Sequence, residues 1–264
     1  MFIYKNLELQ TLEIDNKKDK NVFFVHGVTA DYSNFNDFYP ELSKEYNIYS
    51  INLPCHGDSQ CNPELMNINS YIDILYQYIL SLKLNNIYLI GHSMGGAIAM
   101  VLSAKIEPLI KKMILIAPLN ETSMEIQKQL KYAFEAKTLL AKLAFVKRSY
   151  YHPLKMLFNK QINQNTKEWF IKHKDDLPYY RNLGNSMLDY DFLAQTRVAI
   201  EEFNKPLALI YGVGDDIINR LKIKAYFQSV QPNIQVFEVP KCGHNLWYEN
   251  KAEAVKVVLD FLEK

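Results

Sequence analysis

No stretch of the 264 residues approaches the ~18 consecutive apolar positions that a membrane-spanning helix requires, and none is predicted. The first ten residues, MFIYKNLELQ, lack a basic segment followed by an unbroken apolar one, so no cleavable signal peptide is predicted. Neither sign of charge is in excess, because 30 Lys and Arg oppose 29 Asp and Glu for a formal net charge of +1. A chain so balanced has no global field to draw it to nucleic acid, and no nucleic-acid partner is expected. Cysteine is scarce and odd in number. Cys55, Cys61 and Cys242 contain no C-x-x-C pair, which predicts neither a disulfide framework nor a zinc site and points to a reducing cytoplasm. Internal repeats and low-complexity tracts are missing as well.

What is present is a rhythm. FIYKNLELQTLEI alternates apolar and polar residues around Lys5 and Asn6, as expected of an edge hairpin with one wet face. Short apolar runs then recur at Val22–Val25, Ile48–Leu53, Ile87–Ile90, Met113–Ala117, Leu207–Tyr211 and Ile234–Val239, each closed by Gly, Pro or a small residue. Between several of them the apolar period changes to that of a helix, as at Tyr71, Leu75, Tyr78, Ile79 and Leu82, and at Ala254, Val257, Val258 and Phe261. Strand and helix alternating in this way predict an α/β protein with a mainly parallel sheet covered on both faces. The interval from Ala117 to Leu207 is too long for one crossover. It carries Leu, Phe, Tyr and Trp at helical spacing and is punctuated by Pro153 and Pro178. Residues 120–202 are therefore read as a helical cap inserted into one core formed by 1–119 and 203–264.

Only 9 glycines are available, and three of them crowd one serine in Gly91-His92-Ser93-Met94-Gly95-Gly96. This G-x-S-x-G follows the Ile87–Ile90 run and precedes the small, helix-compatible Ala97–Met100. A serine on a sharp strand-to-helix turn needs small neighbours two positions to either side, and Gly91 and Gly95 supply them. Serine alone is a weak nucleophile, so a base and a group to orient it are expected downstream. Gly243-His244 follows one strand and Gly212-Val213-Gly214-Asp215-Asp216 another, and parallel strands converge at their carboxyl edge. His244 is the candidate base. Asp215 is favoured as its acid, with the adjacent Asp216 as the alternative and helix capping open to either. Two backbone amides should face a developing oxyanion: Met94, after the nucleophile, and Val28, in the turn after His26-Gly27.

Taken together, His26-Gly27, Leu53-Pro54-Cys55-His56-Gly57-Asp58-Ser59, Gly91 to Gly96, Gly212 to Asp215 and Gly243-His244 with Glu249 resemble the α/β-hydrolase superfamily. The resemblance is to its capped members, which include monoacylglycerol lipases, lysophospholipases and small carboxylesterases. It implies the α/β-hydrolase fold, a mostly parallel eight-stranded sheet flanked by helices, with the cap as a helical insertion roofing the site. It also implies no metal and no organic cofactor. In the family's D-x-P-G-H-G-x-S loop, Asn52 here replaces the Asp and Cys55 the first Gly. The expected activity is hydrolysis of a small-molecule ester or lipid-like substrate, with thioester or carbon-carbon bond cleavage on the same triad as the alternative and a non-catalytic binding protein as the third reading. From Glu121 to Lys160, Lys128, Lys131, Lys137, Lys142, Lys147, Arg148, Lys155 and Lys160 outnumber Glu121, Glu125 and Glu135. With Leu139, Leu140, Phe145, Tyr150 and Leu157 between them, they read as a contact for anionic lipid surfaces, as an attraction for a negatively charged acyl substrate, or as a solvated helix face over an apolar core.

Overall fold

The computed structural model describes residues 1–126 and 147–264. Strands β1 (Phe2–Tyr4) and β2 (Leu7–Leu9) form the expected hairpin. Its turn residues, Lys5 and Asn6, both take positive φ, 46° and 64°, the twist that a two-residue hairpin turn needs. Next come β3 (Thr11–Ile14), β4 (Asn21–Val25), β5 (Asn47–Ile51), β6 (Ile87–His92), β7 (Ile110–Ile116), β8 (Leu207–Gly212) and β9 (Gln235–Val239). They make one sheet in the order β3-β5-β4-β6-β7-β8-β9, in which only the β3–β5 pair is antiparallel. Seven strands stand where eight were expected. The hairpin stays separate because β2 and the residue after it take partners from a loop: Glu8 and Gln60 exchange two hydrogen bonds, and the Gln10 amide donates to Ser59 Oγ.

The apolar runs are continuous because both sheet faces are covered. Phe23 and Val25 enter one core with Leu89, Met113, Leu115, Leu207 and Leu209, while Val22 and Phe24 enter the other with Ile90, Ile114, Ile116, Ala208 and Ile210. Each such side chain contributes about 1.5–3 kcal/mol on burial. A one-residue slip of register would exchange the two sets.

Nine α-helices are described: α1 (Tyr39–Leu42), α2 (Ile68–Leu82), α3 (Met94–Ile106), α4 (Pro153–Leu157), α5 (Lys160–His173), α6 (Leu177–Met187), α7 (Tyr190–Glu201), α8 (Ile223–Val230) and α9 (Leu246–Glu263), the last kinked at Asn250. Helix α2 opens on Asn67, whose side chain accepts the Ser70 amide, and buries the predicted Tyr71, Leu75, Tyr78 and Ile79. Helix α3 is apolar on nearly every side and is buried accordingly. Helices α4 to α7 lie in sequence between β7 and β8. Of the basic residues counted above, Lys128, Lys131, Lys137 and Lys142 lie outside the described residues, as do Glu135, Leu139, Leu140 and Phe145. Among the described residues, no helix is long and apolar enough to cross a membrane.

The expectation of three free thiols is overturned. Cys55 and Cys61 form a disulfide and Cys242 alone is free. Spacing gave no signal of the pair, which lies six residues apart, with Cys55 at a left-handed φ of 63°. The resemblance puts glycine at that position, and glycine adopts such a φ without strain. With the pair formed, the premise for a reducing compartment falls away. Alkylation of the unfolded chain without reductant should modify one cysteine, and three after reduction. Modification of all three before reduction would contradict the pairing.

Candidate active site

Ser93 sits between β6 and α3 at φ 55° and ψ −119°, a conformation costing on the order of 1–3 kcal/mol that only the surrounding packing can hold. That packing is backbone against backbone. A β-carbon on Gly95 would collide with the carbonyl oxygens of Val25 and His26, and one on Gly91 with the Gly95 carbonyl. The Ser93 amide donates to Ile116 O at 2.9 Å, and its carbonyl accepts the amides of Gly96, Ala97 and Leu119. The turn is thus tied to β7 as well as to its own helix.

Beside it runs the loop after β4. A β-carbon placed on Gly27 would lie 3.3 Å from Ser93 Cβ, so this loop passes directly over the serine. His26 fixes it: its Nδ1–H donates to Gly27 O at 2.8 Å and its Nε2 accepts the Leu53 amide at 3.1 Å. Among the described residues, the Val28 and Met94 amides donate to no backbone acceptor. They remain available to an outside oxygen.

The loops after β8 and β9 meet. His244 Nδ1 and Asp215 Oδ2 are 2.8 Å apart, and Asp215 is completely buried. Its other carboxylate oxygen accepts the amides of Ile217 and Ile218. Asp216 faces elsewhere, pairing with Arg220 at 2.8 Å on a half-exposed surface. The structure therefore brings Asp215, and not Asp216, to the imidazole. His92, next to Ser93, connects the two halves: its Nε2–H donates to His244 O at 3.1 Å and its ring centroid lies 4.8 Å from that of His244. Cys242, also close, is buried, and burial together with Glu249 and Glu253 pushes its thiol up to about 12.

Around this site three buried histidines, His26, His56 and His92, are kept below the ordinary value of 6.5, mainly by desolvation of the charged ring. His56 and His92 are also opposed by a neighbouring imidazole, His26 and His244 respectively. From the sequence alone, His56 has a place only within the Leu53–Ser59 motif and His92 has no assigned role. Nothing in their spacing reveals that the His56 ring lies tilted against that of His26, and the His92 ring against that of His244.

The sequence profile of the alpha/beta hydrolase fold matches residues 20–251. The chain belongs to the α/β-hydrolase fold family. It is 29% identical over 255 residues, 94% of this chain and 91% of the relative, to a Mycoplasma genitalium protein bearing an esterase/lipase name. Human monoacylglycerol lipase ABHD6 is 21% identical over 92% of this chain and 75% of its own. Solved structures with the same fold include a bromoperoxidase from Bacillus anthracis, at TM-score 0.81 and 18% identity over 98% of this chain and 96% of that one. An Acinetobacter baumannii protein bearing a lipase name superposes at TM-score 0.80 and 17% identity, over 97% of this chain and 91% of that one.

A pH dependence of stability follows from the neutral histidines. Each binds a proton in the unfolded chain below 6.5 but resists it when folded, so the unfolded state takes up more protons as pH falls and stability is lost in that direction. Each contributes a slope of up to about 1.4 kcal/mol per pH unit. The urea midpoint should be lower at pH 5.5 than at pH 7.5; an equal or higher midpoint would show that these rings titrate normally in the fold.

Proposed function

We propose that the chain is a serine hydrolase acting on carboxylic esters, with Ser93 as nucleophile, His244 as general base and Asp215 as the group that orients it. The observation that carries this reading is the 2.8 Å Asp215–His244 pair, buried at the sheet edge where the Ser93 turn also emerges. The esterase/lipase names of relatives spanning nearly the whole chain support ester as the substrate class, and the monoacylglycerol lipase among them supports a lipid monoester.

In this reading Asp215 accepts a hydrogen bond from Nδ1–H of His244, which holds the tautomer whose Nε2 lone pair is free for the serine. His244 takes the Ser93 proton as Oγ bonds to the ester carbonyl carbon, and the carbonyl oxygen becomes an oxyanion between the Val28 and Met94 amides. The tetrahedral species collapses by breaking the bond to the alcohol oxygen, which leaves with the proton from His244. Water, deprotonated by the same histidine, then attacks the acyl-serine, and the carboxylic acid departs while Ser93 regains its proton. The helices between β7 and β8, with 120–202 as the inserted unit, act as the cap over this edge and set the acyl and alcohol specificity.

A panel of p-nitrophenyl esters, lipid monoesters and acyl-CoAs tests the substrate class. Ser93→Ala should lower kcat at least about a thousandfold and abolish fluorophosphonate labelling. Asp215→Asn should cost about 10⁴-fold. Asp216→Asn, which removes only an exposed ion pair, should change activity less than about fivefold. Ester hydrolysis surviving Ser93→Ala within a few-fold, or a larger loss at Asp216 than at Asp215, would refute the assignment.

A further inference from the structure

Beyond the three side chains of this reading, residues 148–152 lie across both loops that carry the acid and the base. The Arg148 carbonyl accepts the Asp216 amide at 3.0 Å, and the Arg148 guanidinium donates back to the Asp216 carbonyl. The Ser149 carbonyl accepts the His244 amide at 2.7 Å. Approach is so close that a β-carbon on Gly243 would strike the Ser149 carbonyl, which explains glycine at that position. The segment is then fastened by one carboxylate. Glu249, in the first turn of α9, accepts the Tyr151 amide at 2.9 Å and the His152 amide at 2.8 Å. It also accepts the Gly243 amide at 2.7 Å, so one side chain holds both the strap and the residue before His244.

We propose that Glu249 is a positioning residue for His244, clamping the strap 148–152 onto the histidine loop through three amides, so that the imidazole's placement depends on the segment leading into α4. The proposal rests on the Ser93–His244–Asp215 reading and adds a fourth group that touches no reacting atom. Three hydrogen bonds to one carboxylate are charge-assisted and directional. Tyr151 and His152 are exposed, so water can serve their amides when the carboxylate is removed. Loss of Glu249 therefore acts mainly on geometry. Displacement of a catalytic group by about 1 Å can cost on the order of a hundredfold in rate.

The test compares Glu249→Ala, Glu249→Asp and Glu249→Gln with wild type on one good p-nitrophenyl ester. Glu249→Ala should lower kcat about 10- to 100-fold, with KM changed less than about threefold. Glu249→Asp, which keeps the charge but is too short to serve all three amides, should lose nearly as much. Glu249→Gln, which keeps the length and one carbonyl oxygen, should fall between it and wild type. A kcat within about twofold of wild type for Glu249→Ala would overturn the proposal. So would an aspartate variant equal to wild type with a glutamine variant as poor as alanine, because charge rather than reach would then be acting. Should every variant unfold, amide hydrogen exchange on the wild-type protein decides: Gly243, Tyr151 and His152 are expected to be protected together, and exchange at free-loop rates would overturn the clamp. Failure of the underlying reading looks different, because ester hydrolysis would then survive Ser93→Ala.

Discussion

The first turn of α3 presses its backbone against the carbonyl oxygens of Val25 and His26, and this contact requires that Gly95 have no side chain. Because the two main chains touch, the end of β4 and the turn after β6 cannot separate. The loop 26–28 is consequently laid over Ser93, and among the described residues the Val28 and Met94 amides donate to no backbone acceptor. The unfavourable φ of Ser93 is sustained because relaxing it would pull the almost wholly buried α3 out of contact with β6, β7 and α7. Local strain and global burial are thus balanced at a single residue.

Outward from that contact, the site is held by rings that stay neutral. His26, His56 and His92 are each buried, and each uses a ring N–H to grip a carbonyl: Gly27, Pro54 and His244 respectively. A charged ring at position 92 would oppose formation of a second positive charge on His244, whose centroid is 4.8 Å away. In the proposed mechanism its neutrality favours transfer of the Ser93 proton to His244. The same burial lowers the local dielectric and strengthens the Asp215–His244 bond, which has no water to compete with it at the acid end.

Much of this was legible in the residues. Strand positions followed from apolar runs, α2 and α9 from their period, and the turn at Ser93 from glycines two residues to either side. Even the contest between Asp215 and Asp216 was visible, although sequence could not resolve it; only coordinates show that Arg220 occupies one carboxylate and His244 the other. What remained illegible is main-chain chemistry. The strap 148–152 works through carbonyls and amides that every residue possesses, so no residue type announces it. Glu249 did stand out in the motif after His244, yet two of its three partners, Tyr151 and His152, lie 98 and 97 positions upstream. The Cys55–Cys61 bond was hidden for a related reason, since it depends on a left-handed turn at a cysteine. The hairpin's separation from the main sheet depends likewise on Gln60 competing for Glu8, a loop contact with no periodic signature.

The three groups of the site are not equally determined. Ser93 has its amide bonded to β7 and its carbonyl bonded to three amides, so its place is set within the core itself. Asp215 is fixed by the Ile217 and Ile218 amides that its own carboxylate accepts, a closed local turn, and its loop is joined to the strap through Asp216 and Arg148. His244 is different. Its amide is held by Ser149, from the segment leading into α4, and its carbonyl by His92, from the turn that presents Ser93. The imidazole is thus suspended between the core and the segment that precedes the α4–α7 helices, with one main-chain anchor in each. In the proposed mechanism this imidazole reaches both the serine and the leaving group, so a shift of either anchor acts on the rate through its position, whereas the proposed nucleophile and orienting acid have close anchors of their own.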